Sequence, residues 1–363
     1  MNGLINRILI TPLSQQGGSF WMPDQASTIA ADIDWVFYLI YWISVFFFAL
    51  IVGVMLYFMI AYRRRPGHKE TVTPTHNTAL ELTWTIIPLI IVLVIFYFGF
   101  VSYLNMKVVP TDAYRIYVTG VKWNWSFQYP NNYVDSNLHL PVDRPVELVI
   151  TSEDVTHSLY IPAFRLKMDA VPGRNHSVWV QASEPGTYPL FCAEYCGTQH
   201  STMIADTIVH ERGQFARWLE DASNFVDRMP LHEAGERLYE VRGCKQCHSI
   251  DGTAGQGPSW RTPDGKSIWG TEVALESGET VVVDENYLIE SIYEPMAKIH
   301  AGYDAIMPTY RGRLSSQEMN ALIEYIKSLD PDWSPPEPEP DVSDEDGASE
   351  EVESATPSDS TNQ

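Results

Sequence analysis

The chain has 363 residues, enough for two or three folding units, with a formal net charge of −22. Twelve acidic residues fall from Asp330 onward, where there is no Lys or Arg, leaving 34 acids against 24 bases upstream. That balance excludes a nucleic-acid binder, which needs clustered cations to neutralise phosphates; it suits a basic protein partner or, for the tail, simple solubility.

The first 34 residues read as an uncleaved stretch on the outer side of a membrane. Arg7 and the weak apolar patch after it have the outline of a degenerate signal segment, with no cysteine nearby for lipid attachment. From Val36 to Ala61 the chain carries no charge, and only Ser44 is clearly polar. About 20 apolar residues cross a bilayer core, so this run predicts a spanning helix. Trp84 to Leu104 is likewise uncharged, and Pro88 falls in its first turns, where a missing N–H does least harm. Buried helices of a soluble core would show a polar stripe. Residues 35–106 are therefore expected to form a hairpin in contact with lipid. Its loop holds Arg63, Arg64, Arg65 and Lys69 against Glu70 and Glu81. Positive charge marks the cytoplasmic side, which puts everything after Leu104 on the outer, periplasmic face of a bacterial plasma membrane. Thr78-Ala-Leu-Glu81 fits a capping box at the start of the second helix.

Beyond Pro110 the pattern shortens. Tyr114–Thr119, Val146–Thr151, Ser177–Val180, Thr187–Phe191 and Met203–Val209 are β-rich runs separated by Pro, Gly, Asn and Asp. They predict a β-sandwich or barrel of roughly 100 residues, placed at 107–215. Within it, strand alternation puts Trp123, Trp125, Phe127 and Tyr129 on one face, which core packing explains. The four cysteines form two tight pairs, Cys192/Cys196 and Cys244/Cys247, each with histidine at short spacing, so metal and haem chemistry reads better than two disulfides.

The first pair lies in Cys192-Ala-Glu194-Tyr-Cys196-Gly-Thr-Gln-His200-Ser-Thr-Met203, with His157 upstream in VTHSLYIP. Two thiolates, an imidazole and a thioether are soft donors that select copper over magnesium or calcium. A mononuclear copper site needs one thiolate; a second lets two sulfurs bridge two metals that share an electron, keeping reorganisation small. Zinc or a disulfide is the alternative, although Met203 is a poor zinc ligand and adds nothing to a disulfide.

Cys244-Lys-Gln-Cys247-His248 is a C-x-x-C-H attachment site: two thioethers to porphyrin vinyls and His248 to the iron. It follows a helical stretch from His232 to Val241, and the βαβ context of a thioredoxin-like pair is missing. The candidates for the second axial ligand are Met296, Met307 and Met319. Met319 falls in an amphipathic helix, Ser315 to Leu329, whose apolar positions Met319, Leu322, Ile323 and Ile326 read as core. Met296 precedes a loop. Met307, in Ile306-Met307-Pro308-Thr-Tyr310, is the choice. Trp269 to Val283 reads as a hairpin-like insert, and Gly265-Lys266-Ser267 is no phosphate loop, because Trp260 stands where its first glycine is required. The tail, 331–363, is Pro-, Asp-, Glu- and Ser-rich and cannot bury enough apolar surface to order itself.

Together these motifs resemble cytochrome c oxidase subunit II with a fused C-terminal cytochrome c domain (the caa-type arrangement), over about Trp35 to Leu329. The pattern C-x-E-x-C-G-x-x-H-x-x-M, preceded by H-S-x-x-I-P and by Asp169-Ala-Val-Pro-Gly-Arg174, is similar to the family's CuA domain. The resemblance implies a multidomain fold: a two-helix transmembrane hairpin, an all-β cupredoxin-like CuA domain, and an all-α class I cytochrome c domain at 228–330. It implies dinuclear copper bridged by Cys192 and Cys196, with His157 and Met203 completing one ion, and His200 and the Glu194 carbonyl the other. The Glu194 side chain would reach a shared Mg2+ at the boundary with subunit I. Ser201-Thr202 stands where Ser-Phe is common, with the spacing kept, and Lys122 replaces the glutamine of the family's Q-W-x-W. By that match Trp123 is the exposed indole through which electrons enter. Leu80 to Pro88 resembles L-E-x-x-W-T-x-x-P, which puts Glu81 at the mouth of a proton pathway into subunit I. M-P-x-aromatic assigns Met307 to the iron of a covalent haem c, and Gly257-Pro258 resembles the loop whose proline carbonyl fixes the haem histidine.

The implied activity is that of a proton-translocating cytochrome c oxidase. Electrons from cytochrome c or an upstream respiratory complex reach haem c, then copper, then subunit I, where oxygen becomes water; subunit III is a further partner. A nitric oxide reductase-type complex using the same copper module is the alternative. A copper-delivery protein would lack Met203, the aromatic run and the haem, and the quinol oxidase lineage has lost the copper ligands.

Overall fold

The computed structural model describes residues 18–67 and 76–335; Arg7, Lys69, Glu70 and the acidic stretch from 336 onward lie outside them. Two long helices come first, α1 (Ala30–Ala61) and α2 (Thr78–Lys107). Both are long and apolar enough to cross a membrane, and their apolar windows are not buried in protein. Side chains that are apolar all round an unburied helix are stable only in lipid. The cap of α2 falls one residue earlier than the Thr78 spacing predicted. Asn77 accepts from the Leu80 N–H at 3.2 Å, and the Glu81 carboxylate accepts from the Asn77 N–H at 3.2 Å. Asn is at least as good a cap as Thr, and Glu81 still satisfies a backbone donor.

A two-sheet β-sandwich follows. One sheet has the order β3 (Val134–Asp135), β2 (Asn124–Gln128), β1 (Tyr114–Val121), β5 (Pro145–Ser152), β8 (His176–Gln181). The other has β4 (Leu138–Pro141), β10 (Ile204–His210), β9 (Gly186–Cys192), β6 (His157–Ile161), β7 (Leu166–Ala170). The β1–β5 and β10–β4 pairs are parallel, as the crossovers of a Greek-key-like sandwich require. Alternation is clean along β5, whose Val146, Leu148 and Ile150 point inward. All five predicted strands occur. Strands β3, β4, β6 and β7 were not among the predicted runs: two residues of β3 show no period, and β4 is buried at every position. Strand β2 begins only at Asn124, so Trp123 lies in the turn before it.

Helices α3 (Gln214–Ser223) and α4 (Phe225–Arg228) lead into a helical domain built on α5 (Leu231–Val241), α6 (Glu285–Tyr293) and α7 (Ser316–Ser328). A small hairpin, β11 (Glu272–Ala274) and β12 (Thr280–Val282), occupies the predicted insert. Helix α5 crosses α7 so closely that a Cβ on Gly235 would stand 2.0 Å from the Ala321 carbonyl oxygen. Helix α7 opens with a full capping box, Ser315 and Glu318.

The sandwich is fastened to both membrane helices. Residues before α1 pair with it through Ala26 N–H to Ala163 O and Thr28 N–H to Gln181 O, both 3.0 Å. Asp34, in the first turns of α1, is gripped by Arg165 with Nε–Oδ1 2.7 Å and Nη2–Oδ2 2.8 Å, both side chains nearly buried. The same guanidinium donates to the Pro162 and Pro23 carbonyls. At the end of α2, Trp179 Nε1 donates to the Asn105 carbonyl at 2.9 Å.

Arg165→Ala strands a buried carboxylate, and breaking such a pair costs about 3–5 kcal/mol. The variant in detergent should unfold at lower temperature, with Arg165→Lys in between because it keeps the charge but loses the fork. A second expectation concerns His139, which shares a 2.9 Å hydrogen bond with His210 and stacks on Trp218. Burial, then the charge of His210, pushes His139 down to about 3. The unfolded chain takes up that proton near pH 6.5 and the folded chain refuses it, so stability is complete above that pH and is lost on acidification toward 3. The slope is about 1.4 kcal/mol per pH unit within that window. Fluorescence-monitored urea unfolding should therefore show less acid loss in His139→Phe than in the wild type.

Candidate functional site

Strand β6 delivers His157, the end of β9 delivers Cys192, and Met203 stands just before β10. The loop at 193–202 carries Glu194, Cys196 and His200 between them. Cys192 Sγ and Cys196 Sγ lie 3.8 Å apart and unbridged. His157 Nδ1 is 4.0 Å from Cys192 Sγ, and His200 Nδ1 is 3.7 Å from Cys196 Sγ. Met203 Sδ stands 3.8 Å from Cys196 Sγ, and the Glu194 carbonyl oxygen 3.2 Å from Cys192 Sγ. All six predicted donors therefore converge on one buried spot. Imidazole nitrogens facing a pair of sulfurs, with thioether and carbonyl at either end, fit copper better than a hard cation. The Glu194 carboxylate itself is exposed, beside Tyr195 at the loop tip.

Asp154 was not legible as a site residue. Its carboxylate accepts from His157 Nε2 at 2.8 Å and from the Lys122 N–H at 2.8 Å. This fixes the tautomer so that Nδ1 faces the sulfurs. Burial opposes charge on His157, but Asp154 and the Cys192 sulfur hold it up at about 8. Cys192 is raised by burial yet brought down to about 6 by His157 and by the backbone at Ser158 and Glu194. Burial and the neighbouring Cys192 charge push Cys196 up to about 12. The pair thus releases a first proton more readily than a second, because one thiolate opposes the charge of the other. Gly120, on the facing sheet, makes room: a Cβ there would lie 2.9 Å from the His157 ring.

The indole of Trp123 is not exposed, contrary to the expectation from the sequence. It is 7% exposed, because the helical domain covers the face on which it stands. Its ring packs on the copper loop, where a Cβ on Gly197 would lie 3.0 Å from Trp123 Cζ2. Gly197 also holds φ +127, a conformation that suits glycine alone.

On the other side of Trp123 a cavity of about 610 Å³ opens into the helical domain, within the range of cofactor sites. Cys244, Cys247, His248 and Met307 line it together. His248 Nδ1 donates to the Pro258 carbonyl at 2.8 Å, which leaves Nε2 for an iron. Gly257 is required beside it, since a Cβ would lie 2.6 Å from the His248 ring. Burial pushes Cys244 up to about 12 and raises Cys247 too, so neither competes as a thiolate. Arg242 Nε and Trp123 Nε1, on the cavity wall, are buried without partners. Met319 is core on α7, as expected. The cavity and its donors fit a covalently held haem. Glu81 belongs to neither site: it lies roughly 35 Å from the Asn105 end of α2, at 1.5 Å per residue.

Three family models match the chain: cytochrome c oxidase subunit II, transmembrane domain, over residues 14–101; its periplasmic domain over 131–211; and cytochrome c over 232–330. Cytochrome c oxidase subunit 2 of Alkalihalophilus pseudofirmus is 32% identical over 294 residues, covering 77% of this chain and 82% of that protein. The chain belongs to the cytochrome c oxidase subunit II family. Subunit 2 of Synechocystis is 29% identical over 247 residues, covering 54% of this chain and 74% of the relative. The crystal structure of the periplasmic domain of subunit II from Bradyrhizobium japonicum is 32% identical, with TM-score 0.31, covering 32% of this chain and 98% of that one. As a family member the chain is a membrane-anchored electron-transfer subunit, with copper in the sandwich and haem in the helical domain, associated with subunit I of a cytochrome c oxidase.

Gly257→Ala should leave the copper site intact and sharply lower covalent haem incorporation, because the ring of His248 must move. Haem-stained gels and copper analysis of the same preparation measure both.

Proposed function

We propose that this subunit passes electrons from a covalent haem c through a dinuclear CuA centre to subunit I, where oxygen is reduced to water. The observation that carries this reading is Trp123, which touches the copper loop at Gly197 and forms part of the haem cavity wall. When bound, haem and copper supply the one-electron redox chemistry; the side chains hold them rigid, dry and adjacent.

Cys192, Cys196, His157, Met203, His200 and the Glu194 carbonyl would hold the two copper ions. Asp154 orients His157 and also anchors the backbone before Trp123, so the copper ligand and the indole share one support. Cys244 and Cys247 would carry the haem, and His248 and Met307 would hold its iron. The exposed Glu194 carboxylate is suited to a Mg2+ ion shared with subunit I. The sandwich and helical domain, about 107–215 and 228–330, lie on the periplasmic side of a bacterial plasma membrane. The basic residues Arg63 to Arg65 after α1 support that orientation. Glu81, capping α2 at the opposite end, sits where a proton pathway into subunit I would begin. Subunit III and a donor such as cytochrome c or an upstream respiratory complex complete the assembly.

The complex purified from membranes should contain two coppers and one c-type haem per chain in this subunit, with cyanide-sensitive oxygen uptake. Its copper EPR signal should show hyperfine coupling to two nuclei. Cys196→Ser should lose that signal and slow oxygen uptake by about a hundredfold or more, since even outer partners of metal ligands are worth about 10- to 100-fold. A mononuclear spectrum in the unmodified complex overturns the dinuclear reading.

A further inference from the structure

An external donor must reach the haem, and the side facing copper is closed. The residues flanking Cys244 are pressed against the sandwich: a Cβ on Gly243 would collide with the Asn124 amide. Arg242 donates to the Val134 carbonyl at 3.2 Å, the Ser136 hydroxyl donates to the Glu240 carbonyl at 3.1 Å, and Arg313 pairs with Glu153. With Trp123 buried under this seam, no second protein can stand on the indole.

A different approach is open. Met307, Pro295 and Met296 line the haem cavity and also a surface depression of about 510 Å³, whose other walls include Tyr293, Ala297 and Thr309. Met296 is 53% exposed, the most exposed large apolar side chain of the helical domain among the described residues. Its rim holds the Glu294–Arg311 ion pair, and Glu290 with Lys298 lies close by in sequence. The domain around it is acidic, with 16 Asp and Glu against 9 Lys and Arg over 232–330. An apolar patch with charge around it is the usual anatomy of a transient protein contact.

We propose that this depression is the docking site of a soluble electron-transfer protein with a basic contact face, which delivers its electron to the haem by way of Met307. The donor is oxidised by one electron and the haem iron reduced by one; no bond forms or breaks and no proton moves. The proposal rests on Met307 being the iron's ligand. Acidic surroundings draw a basic donor from a distance, and the apolar floor gives the short-lived complex its register. Electrons thus enter on the methionine side of the haem and leave on the cysteine side, without donor and copper domain competing for one surface.

The test uses the purified oxidase containing the whole chain, with reduced mitochondrial-type basic cytochrome c as probe donor. The small diamine TMPD, which needs no docking surface, serves as comparison. Ala297→Lys, at an exposed residue that lines the depression and not the haem cavity, places a like charge in the contact and should raise KM for the cytochrome about five- to tenfold, with kcat little changed. TMPD-driven turnover, the haem c absorption band and its midpoint potential should stay as in the unmodified enzyme. KM should also rise with salt. An unmoved KM in Ala297→Lys, a salt-independent KM, or a parallel fall in TMPD turnover overturns the docking site. The ligand reading is checked separately by Met307→Ala, which should shift the haem c potential and spectrum. If it does so while Ala297→Lys leaves KM unmoved, docking alone fails. If it does not, the ligand assignment fails, and the electron route through Met307 fails with it.

Discussion

Two redox centres exchange electrons quickly only when nothing between them has to rearrange as the charge moves. In the electron path proposed for this chain that requirement falls on one contact, the indole of Trp123 against the backbone of Gly197. Gly197 follows Cys196 directly, so the ring rests on the loop that carries the proposed copper ligands. Its other surroundings belong to the haem cavity. A side chain at position 197 would push the indole away, and its positive φ already restricts the site to glycine. The support beneath is equally rigid. Asp154 binds the imidazole of His157 and the N–H of Lys122 with the same carboxylate, so a shift of the turn would be felt at the metal.

The metal site is shaped by the sandwich more than by its own loop. His157 lies mid-domain on β6, fully buried, with Gly120 of the opposite sheet cut back to admit its ring. Cys192 and Met203 sit where β9 ends and β10 begins, strands paired through Ile204–Phe191. Only Cys196, His200 and the Glu194 carbonyl depend on the loop. A frame of paired strands sets half the donors before any ion arrives, which keeps the geometry from relaxing toward the preference of either oxidation state. The same frame is tied to the membrane hairpin by Arg165 on Asp34 and Trp179 on Asn105, one contact for each helix. Both contacts lie at the same end of the hairpin, so the copper domain stands on two feet and does not swing on one.

Much of this was legible in the sequence because the chemistry is local there. The two hydrophobic runs, the twelve-residue copper loop and C-x-x-C-H carry their meaning in spacing: the runs form two long apolar helices, and the side chains of each motif come together in space. Met307 was separable from Met319 because the latter sits on a periodic helix, and Met319 is indeed buried in α7. What was not legible depends on contacts between distant segments. Asp154 is an ordinary acidic loop residue until β5 and β6 turn it toward His157, although its place three residues before that histidine is a usable signal. Trp123 was expected at the surface because its segment resembles the family's Q-W-x-W motif. The sequence contains no sign that a second domain folds back onto the sandwich there, since the residues it brings to the seam, Arg242 against Val134 and Gly243 against Asn124, lie more than a hundred positions away. The Asn77 cap of α2 differs from the expected Thr78 for a simpler reason: adjacent residues were both competent, and the geometry chose the one whose carbonyl oxygen could face Leu80.

The seam between the two cofactor domains is held by surprisingly little. Its ion pair, Arg313 with Glu153, is partly exposed on both sides and is worth only about 0–1 kcal/mol. The remaining polar links are single hydrogen bonds from Arg242 and Ser136. Such contacts would not hold two free proteins together, because separate partners must first overcome the loss of their independent motion. Here that cost is met by the connection. Helix α3 packs Phe215 and Trp218 into the aromatic cluster of Tyr129, Tyr133 and His139, and α4 sets Phe225 beneath the Arg237 guanidinium at 4.5 Å. The link is therefore a packed extension of the sandwich that ends at α5, one turn before the haem cysteines. Tethering of this kind raises effective concentration without any new interface energy.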